Sequence, residues 1–214
     1  MTAEAHDHLR KRCKVMRRLI REHGPCALAP EARRSPFEAL VTAVAHQQLH
    51  GKAAETILGR FRALFAPARF PTAERLAEVS DDALRGCGFS RAKTAALRDI
   101  AEKTLSGVVP TSRAIARMSD DEIIARLTAV RGVGRWTVEM LLIFKLGRPD
   151  VLPADDFGVR NGLRIAFDLP AMPSPKEVLA LGERWHPHAT TAAWYLWRAA
   201  DAAQKRKVIA GVNG

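Results

Sequence analysis

The sequence predicts an all-α protein. Ala and Leu dominate its 214 residues, and runs of β-branched residues are short. Apolar residues recur throughout at three- and four-residue spacing, the mark of a helix with one buried face. No stretch alternates apolar and polar residues for long enough to make a half-buried strand. Hydrophobic residues form 47% of the chain, enough to drive folding. The length suits one large domain or two small lobes sharing a core, without disulfide or metal staples.

The elements follow in order. His8 to Glu22 reads as one basic amphipathic helix, ended by Gly24-Pro25. Ser35-Pro36-Phe37-Glu38 supplies an N-cap, a proline at the first helical position and a Glu three residues after the cap, so a helix should run to about Leu49. Gly51 allows a turn before a helix over 52–65, and Pro67 to Pro71 is a loop. Ser80, Ser90 and Ser119 each precede a helical pattern and are N-cap candidates. A helix ending near Thr128 meets Gly132-Val133-Gly134, and the next begins near Arg135 or Trp136 and reaches Leu146. Gly147-Arg148-Pro149 opens a loop to a last group of helices that starts near Asp156 or Phe157. "LRGCGFSRAK" (84–93) echoes "VRGVGRWTVE" (130–139): each has apolar-Arg-Gly-x-Gly before a helix. This is a local solution used twice, not a repeat array.

Charge narrows the classes of partner. Lys and Arg number 34 against 23 Asp and Glu, a net charge of +11. Nine of those bases, against four acids, fall in residues 1–34. Such an excess points to a polyanion, either nucleic acid or an anionic membrane surface, with a merely solvated face as the plain alternative. No run of 18 apolar residues is present, so a spanning helix is not expected. The basic N-terminus is followed by no apolar segment of the secretory type. Cys13, Cys26 and Cys87 form no CxxC and no zinc or iron–sulfur ligand set. A reduced, cytoplasmic protein is the expectation.

Three features carry chemistry. Gly132 and Gly134 make a tight turn that lets a phosphate approach the backbone, and the free N–H groups of the following helix favour an anion. An ordinary helix–helix turn has the same composition. "VLPADDFGVRN" (151–161) places Asp155 and Asp156 side by side before Phe157; both suit the capping of the next helix. Trp136, Trp194 and Trp197 are large aromatics that also suit a core.

Together, "GVGRWTVEMLLIFKLGRPDVLPADDFGVR", "SPFEALVTAVAHQQLHGKAAETI", "GFSRAKTAALRDIAEKTLSG" and "ERWHPHATTAAWYLWR" resemble the helix-hairpin-helix (HhH-GPD) DNA glycosylases. Within them they look like the 3-methyladenine DNA glycosylase II (AlkA/Mag-like) branch, from residue 35 to 198. The resemblance implies a compact two-lobed helical bundle, with one lobe over 36–150 and the other combining 1–35 with 151–214. The active-site cleft is expected between them. It implies a monofunctional glycosylase that hydrolyses the N-glycosidic bond of alkylated purines in base excision repair. The alternatives are a non-enzymatic module that senses damaged duplex, or a glycosylase for other damaged bases.

The resemblance assigns residues to roles. Asp156 is the catalytic carboxylate, suited to stabilising positive charge on the sugar and to orienting the water; Asp155 is then left as a helix cap or a brace for the loop. Trp136 and Trp197 are the base-pocket walls, because an aromatic face attracts a cationic base; Trp194 is assigned to the core. The wedge that replaces a flipped base is sought among Gln47, Gln48, Leu49 and His50, residues that also suit an exposed polar turn. Apart from the resemblance, the glycine turn and the basic residues at helix starts make Gly132, Gly134, Arg135, Ser90, Arg91 and Lys93, with Arg148, the phosphate-ligand candidates, a solvated face being the competing reading of the side chains. Where lyase relatives carry a nucleophilic Lys, this chain has Trp136, which cannot form an imine. No cofactor and no catalytic metal is implied, though a monovalent cation on the hairpin carbonyls of 130–135 is. The expected partner is double-stranded DNA containing alkylated bases, bound by a monomer without a membrane. Two positions depart from the family pattern: Val130-Arg131 replaces the usual Leu-Pro before the hairpin, and His188-Ala189 replaces an aromatic and an Arg.

Overall fold

The computed structural model describes residues 2–31, 33–49 and 51–212, with side chains through Arg206. Every regular element among them is helical. In chain order these are α1 (Ala3–Arg12), α2 (Lys14–His23), α3 (Pro36–His46), α4 (Gly51–Ala63), α5 (Ala73–Glu78), α6 (Asp81–Gly86) and α7 (Arg91–Leu105). There follow α8 (Ser112–Ile115), α9 (Asp120–Leu127), α10 (Arg135–Phe144), α11 (Phe157–Ala166) and α12 (Pro175–Gly182), then a 3-10 turn at Glu183–Trp185 and α13 (Ala189–Val212). No described helix is long and apolar enough to cross a membrane. The chain forms two compact units, residues 31–146 and residues 1–30 with 147–214. Both divisions fall a few residues before the expected ones at 35/36 and 150/151.

In the unit of residues 31–146, α7 is the centre, packed against α3, α5 and α6. Capping defines where the helices start. Ser35, Ser80, Ser90 and Ser119 each accept a bond from the backbone N–H three residues on, and Ser119 completes a reciprocal pair with Glu122. Phe61 meets Phe65, Phe70 and Phe89 edge-on at 5.1–5.7 Å between ring centres. Arg98 of α7 donates to the carbonyls of Leu76, Ala77 and Val79, the otherwise orphaned C-terminal end of α5, and its Nε reaches Asp81. The helix after Ser35 stops at His46 rather than Leu49. Gln47 leaves the helical region and Gln48 takes φ +56°. The Lys93 ammonium then serves as the end cap, donating to Ala45 O at 2.9 Å and Gln47 O at 2.8 Å.

In the other unit, the single helix expected over 8–22 is two. Cys13 is extended (φ −148°, ψ 117°) and breaks the run. One straight helix sends its buried stripe along one line. The break lets Leu9, Met16, Leu19 and Ile20 all enter one core with Val159, Leu163, Trp185, Tyr195 and Leu196. α11 and α13 form the tightest pair. A Cβ on Gly162 would lie 2.0 Å from Leu196 O, so only glycine permits this approach. Tyr195 donates its hydroxyl to Gly24 O at 2.8 Å; burial pushes its pKa up to about 12, so it stays a donor.

Candidate functional site

The hairpin between α9 and α10 is built by conformation first. Gly132 takes φ +75°, and a Cβ there would sit 2.9 Å from Ala96 Cβ on α7. Glycine is therefore required twice over, by backbone and by packing. Gly134 is different. Its φ of −86° suits any residue, and a Cβ there would meet nothing within 4 Å. It is the N-cap of α10 and provides no side-chain cap hydrogen bond.

The two echoed motifs are equivalent with a shift of two residues. Gly88 (φ +109°), buried Phe89 and the N-cap Ser90 correspond to Gly132, buried Val133 and the N-cap Gly134. In the first copy Ser90 caps its own helix, donation coming from Lys93 N at 3.3 Å. In the second, the cap has no side chain. The departure at Val130-Arg131 is also explained: a proline at 131 has no N–H, whereas Arg131 N donates to Asp99 Oδ2 at 2.7 Å and ties the hairpin to α7.

These pieces surround one concavity of about 570 Å³, lined by Gln47, Gln48, Ser90, Lys93, Gly132, Gly134 and Trp136 among others. The structure sorts the sequence candidates. Gln47 Nε2 donates to Gly132 O at 2.9 Å and to Thr137 Oγ1 at 3.3 Å, so the Gln47 side chain braces the hairpin. Gln48 and Leu49 are exposed, whereas His50 lies outside the described residues. The Lys93 ammonium is turned toward the end of α3, held by the carbonyls of Ala45 and Gln47, and its pKa is lowered by burial. Arg91 is exposed; Arg135 is exposed too, with its Nε tied to buried Glu139 at 3.0 Å. Val130 O and Gly132 O already accept from Val133 N and Gln47 Nε2. Each keeps a second lone pair, with which it fits a monovalent cation.

Trp136 stands on the first turn of α10 with 40% of its surface exposed, unlike a core tryptophan. It borders a second cavity of about 440 Å³, mostly apolar, with Thr42, Met140, Phe144 and Lys145. Lys145 carries no signal in the sequence. It is buried, and desolvation lowers its pKa while Glu38 pulls it back up.

Asp156 lies in the unit of residues 1–30 and 147–214. It is the N-cap of α11: its Oδ1 accepts from Val159 N at 2.8 Å. The same oxygen accepts from Trp197 Nε1 at 2.7 Å. Two donors from two helices thus fix one half-buried carboxylate. This corrects the division of the acidic pair, since Asp156 is itself the helix cap and Asp155 is exposed. It also gives Trp197 a second task, as an N–H donor. Gly158 makes the contact possible: a Cβ there would lie 2.7 Å from Trp197 Cδ1 and 3.1 Å from Asp156 Oδ1. Phe157, which no sequence motif singles out, is 69% exposed beside this carboxylate.

The loop that delivers Asp156 is anchored to the start of α13. Thr190 Oγ1 donates to Arg148 O at 2.7 Å and accepts from Val151 N at 2.9 Å. Asp150 accepts from Ala189 N at 3.1 Å and pairs with His186 Nδ1 at 2.8 Å. These bonds lie around Ala189, the position where the family pattern has an Arg. Among described residues no cluster of three or more His, Cys, Asp or Glu has metal-binding geometry.

Comparison with known proteins gives a consistent result. The family model described as "HhH-GPD superfamily base excision DNA repair protein" matches residues 41–188. DNA-3-methyladenine glycosylase 1 of Schizosaccharomyces pombe is 46% identical over 177 residues, covering 83% of this chain and 78% of that protein. Among solved structures, the S. pombe 3-methyladenine DNA glycosylase Mag1 in complex with abasic DNA superposes with a TM-score of 0.84 at 44% identity, over 92% of this chain and 96% of that one. A DNA-3-methyladenine glycosidase from Bacillus halodurans gives 0.83 at 32% identity, over 95% and 92%.

Proposed function

The chain belongs to the HhH-GPD superfamily of base excision DNA repair proteins, and on that premise we propose that it is a monofunctional DNA glycosylase that hydrolyses the N-glycosidic bond of alkylated purines. The observation that carries this reading is the carboxylate of Asp156, fixed by Val159 N and Trp197 Nε1. When the bond to an alkylated purine breaks, the base leaves with the bonding electrons and positive charge develops on the deoxyribose. A preorganised carboxylate stabilises that charge without reorganising, then orients or deprotonates the water that attacks the sugar carbon. The alkylated base is electron-poor and already a good leaving group, so an exposed aromatic face such as Trp136 suffices to hold it.

The hairpin supports the binding half of the reading. Gly134 opens the N-terminus of α10 to a phosphate oxygen, a contact that positions the duplex without reading sequence. Gln48, Leu49 and His50 are the wedge candidates for the gap left by the flipped base. A monovalent cation, if held by Val130 O and Gly132 O, would add positive charge beside that phosphate, and no chemical step depends on it.

The test is release of free base from duplex oligonucleotides carrying 3-methyladenine or 1,N6-ethenoadenine. Asp156→Asn keeps an acceptor for Val159 N and Trp197 Nε1, so it should fold and bind DNA while base release falls by roughly 10²–10⁴-fold. Wild-type binding without turnover would instead make the protein a damage sensor. Borohydride should trap no covalent adduct; an adduct would mean an amine nucleophile, with Lys145 the first residue to substitute.

A further inference from the structure

The hairpin accounts for none of the positive charge at the N-terminus. Seven of the twelve residues from Arg10 to Arg21 are Lys or Arg, none is acidic, and all seven side chains are exposed. The break at Cys13 gathers them at one corner. The last turn of α1 brings Arg10, Lys11 and Arg12 next to the first turns of α2. On α2, Lys14, Arg17, Arg18 and Arg21 share one face over about 10 Å, while Met16, Leu19 and Ile20 are buried on the other.

This arrangement is unfavourable for the isolated fold. Lys14 and Arg17 crowd an N-terminal turn that holds no acid, against the helix dipole. Like charges stand at three- and four-residue spacing. Internal compensation is slight. Arg10 pairs with Asp7 at 3.6 Å and Arg18 with Glu22 at 3.7 Å, both exposed. Arg17 and Arg18 also cap carbonyls, Arg10 O and Ala166 O. Arg18 thereby fixes the position of the patch relative to Asp156. Ala166 ends α11 and Asp156 begins it, so the basic corner lies about 15 Å along that helix from the carboxylate.

We propose that the α1–α2 corner is a second phosphate-binding surface, which holds undamaged duplex DNA without sequence preference, separately from the hairpin. Its linear spacing of positive charge, on a rigid helix face, matches a backbone carrying a phosphate at every nucleotide. The inference rests on DNA as the partner and adds a surface that the hairpin reading does not need. It would keep the protein on DNA between lesions.

The experiment compares wild type with the combined variant Arg12→Gln, Lys14→Gln, Arg21→Gln, which spares the two capping arginines. Binding to a short undamaged duplex is measured across a salt series. Every phosphate that the variant no longer neutralises lowers the slope of log affinity against log salt by about 0.9, so the slope should fall by about 2–3. The single-turnover rate of base release at saturating enzyme should not change. Arg12→Lys with Arg21→Lys should retain the wild-type slope, which separates charge from folding. An unchanged slope in the triple variant overturns the proposal. Loss of binding to phosphatidylserine vesicles with the DNA slope intact also overturns it, in favour of a membrane surface. Absence of base release by the wild type counts against the enzymatic reading only, because the salt series is read without turnover.

Discussion

Asp156 has two neighbours whose work is to hold it, and the sequence displays neither as such. Trp197 is legible as an aromatic near the site, because the family motif carries it, yet its N–H donation to Asp156 depends on the crossing of α11 and α13. Trp197→Phe keeps an aromatic ring, though a smaller one, and deletes the donor. A hydrogen bond to a charged group is worth about 1.5–3 kcal/mol, so if the bond matters at the transition state the rate should fall on the order of 10- to 100-fold. Steady-state kinetics should put the loss in kcat, with little change in KM, and a thermal melt should show little change in Tm. A loss confined to KM would return Trp197 to the role of pocket wall. Gly158 is illegible for the same reason: nothing in "DDFGVRN" tells that a methyl group there would strike an indole 39 residues away. Gln47 shows the converse. It looks equivalent to Gln48 in the sequence, and only the third dimension gives it a carbonyl to brace.

At the scale of elements, local rules make much of the fold readable. Ser35, Ser80, Ser90 and Ser119 start helices where their side chains are expected to, since capping is settled within four residues. The failures come where a tertiary contact outranks propensity. The Cys13 break serves a core that the helix meets only after folding, and the early stop of α3 depends on Lys93, 47 residues beyond His46. Two glycines offer a contrast that separates fold from function. Gly162→Ala forces a methyl into the Leu196 carbonyl, and overpacking of this kind costs about 1–3 kcal/mol or more. A thermal melt should show Tm lower by several degrees, at roughly 2–4 °C per kcal/mol for a chain of this size. Gly134→Ala adds its methyl to open space at an ordinary φ, so Tm should hardly move. On the proposed clamp, affinity for duplex DNA should nevertheless weaken, because the methyl group would stand in the path of the phosphate. If Gly134→Ala keeps full affinity, α10 does not clamp the backbone.

For the whole molecule, pH acts on stability and on DNA binding through different groups, and the two can be separated. His6 Nε2 accepts the N–H of Cys26 at 3.1 Å, a bond that requires a neutral ring. Burial, chiefly, and then the positive charge of Arg10 lower the His6 pKa from the ordinary value of 6.5. A histidine with a depressed folded value binds its proton more readily when unfolded, so its contribution is complete above pH 6.5 and is lost as pH falls through the folded value. A second decline begins lower. Glu122 and Glu177 close the capping boxes of α9 and α12, and the N–H groups of Ser119 and Ser174 hold their pKa values below 4.5. Those contributions are complete above pH 4.5 and are lost below it. Melting curves across pH should therefore show two descending segments. His6→Gln retains an acceptor for Cys26 N and cannot titrate, so it should flatten the segment just below pH 6.5 and leave the lower one intact. An unaltered upper segment would show that His6 is not its source. DNA affinity through arginine and backbone amides should not follow the stability curve over this range, because neither kind of donor titrates there.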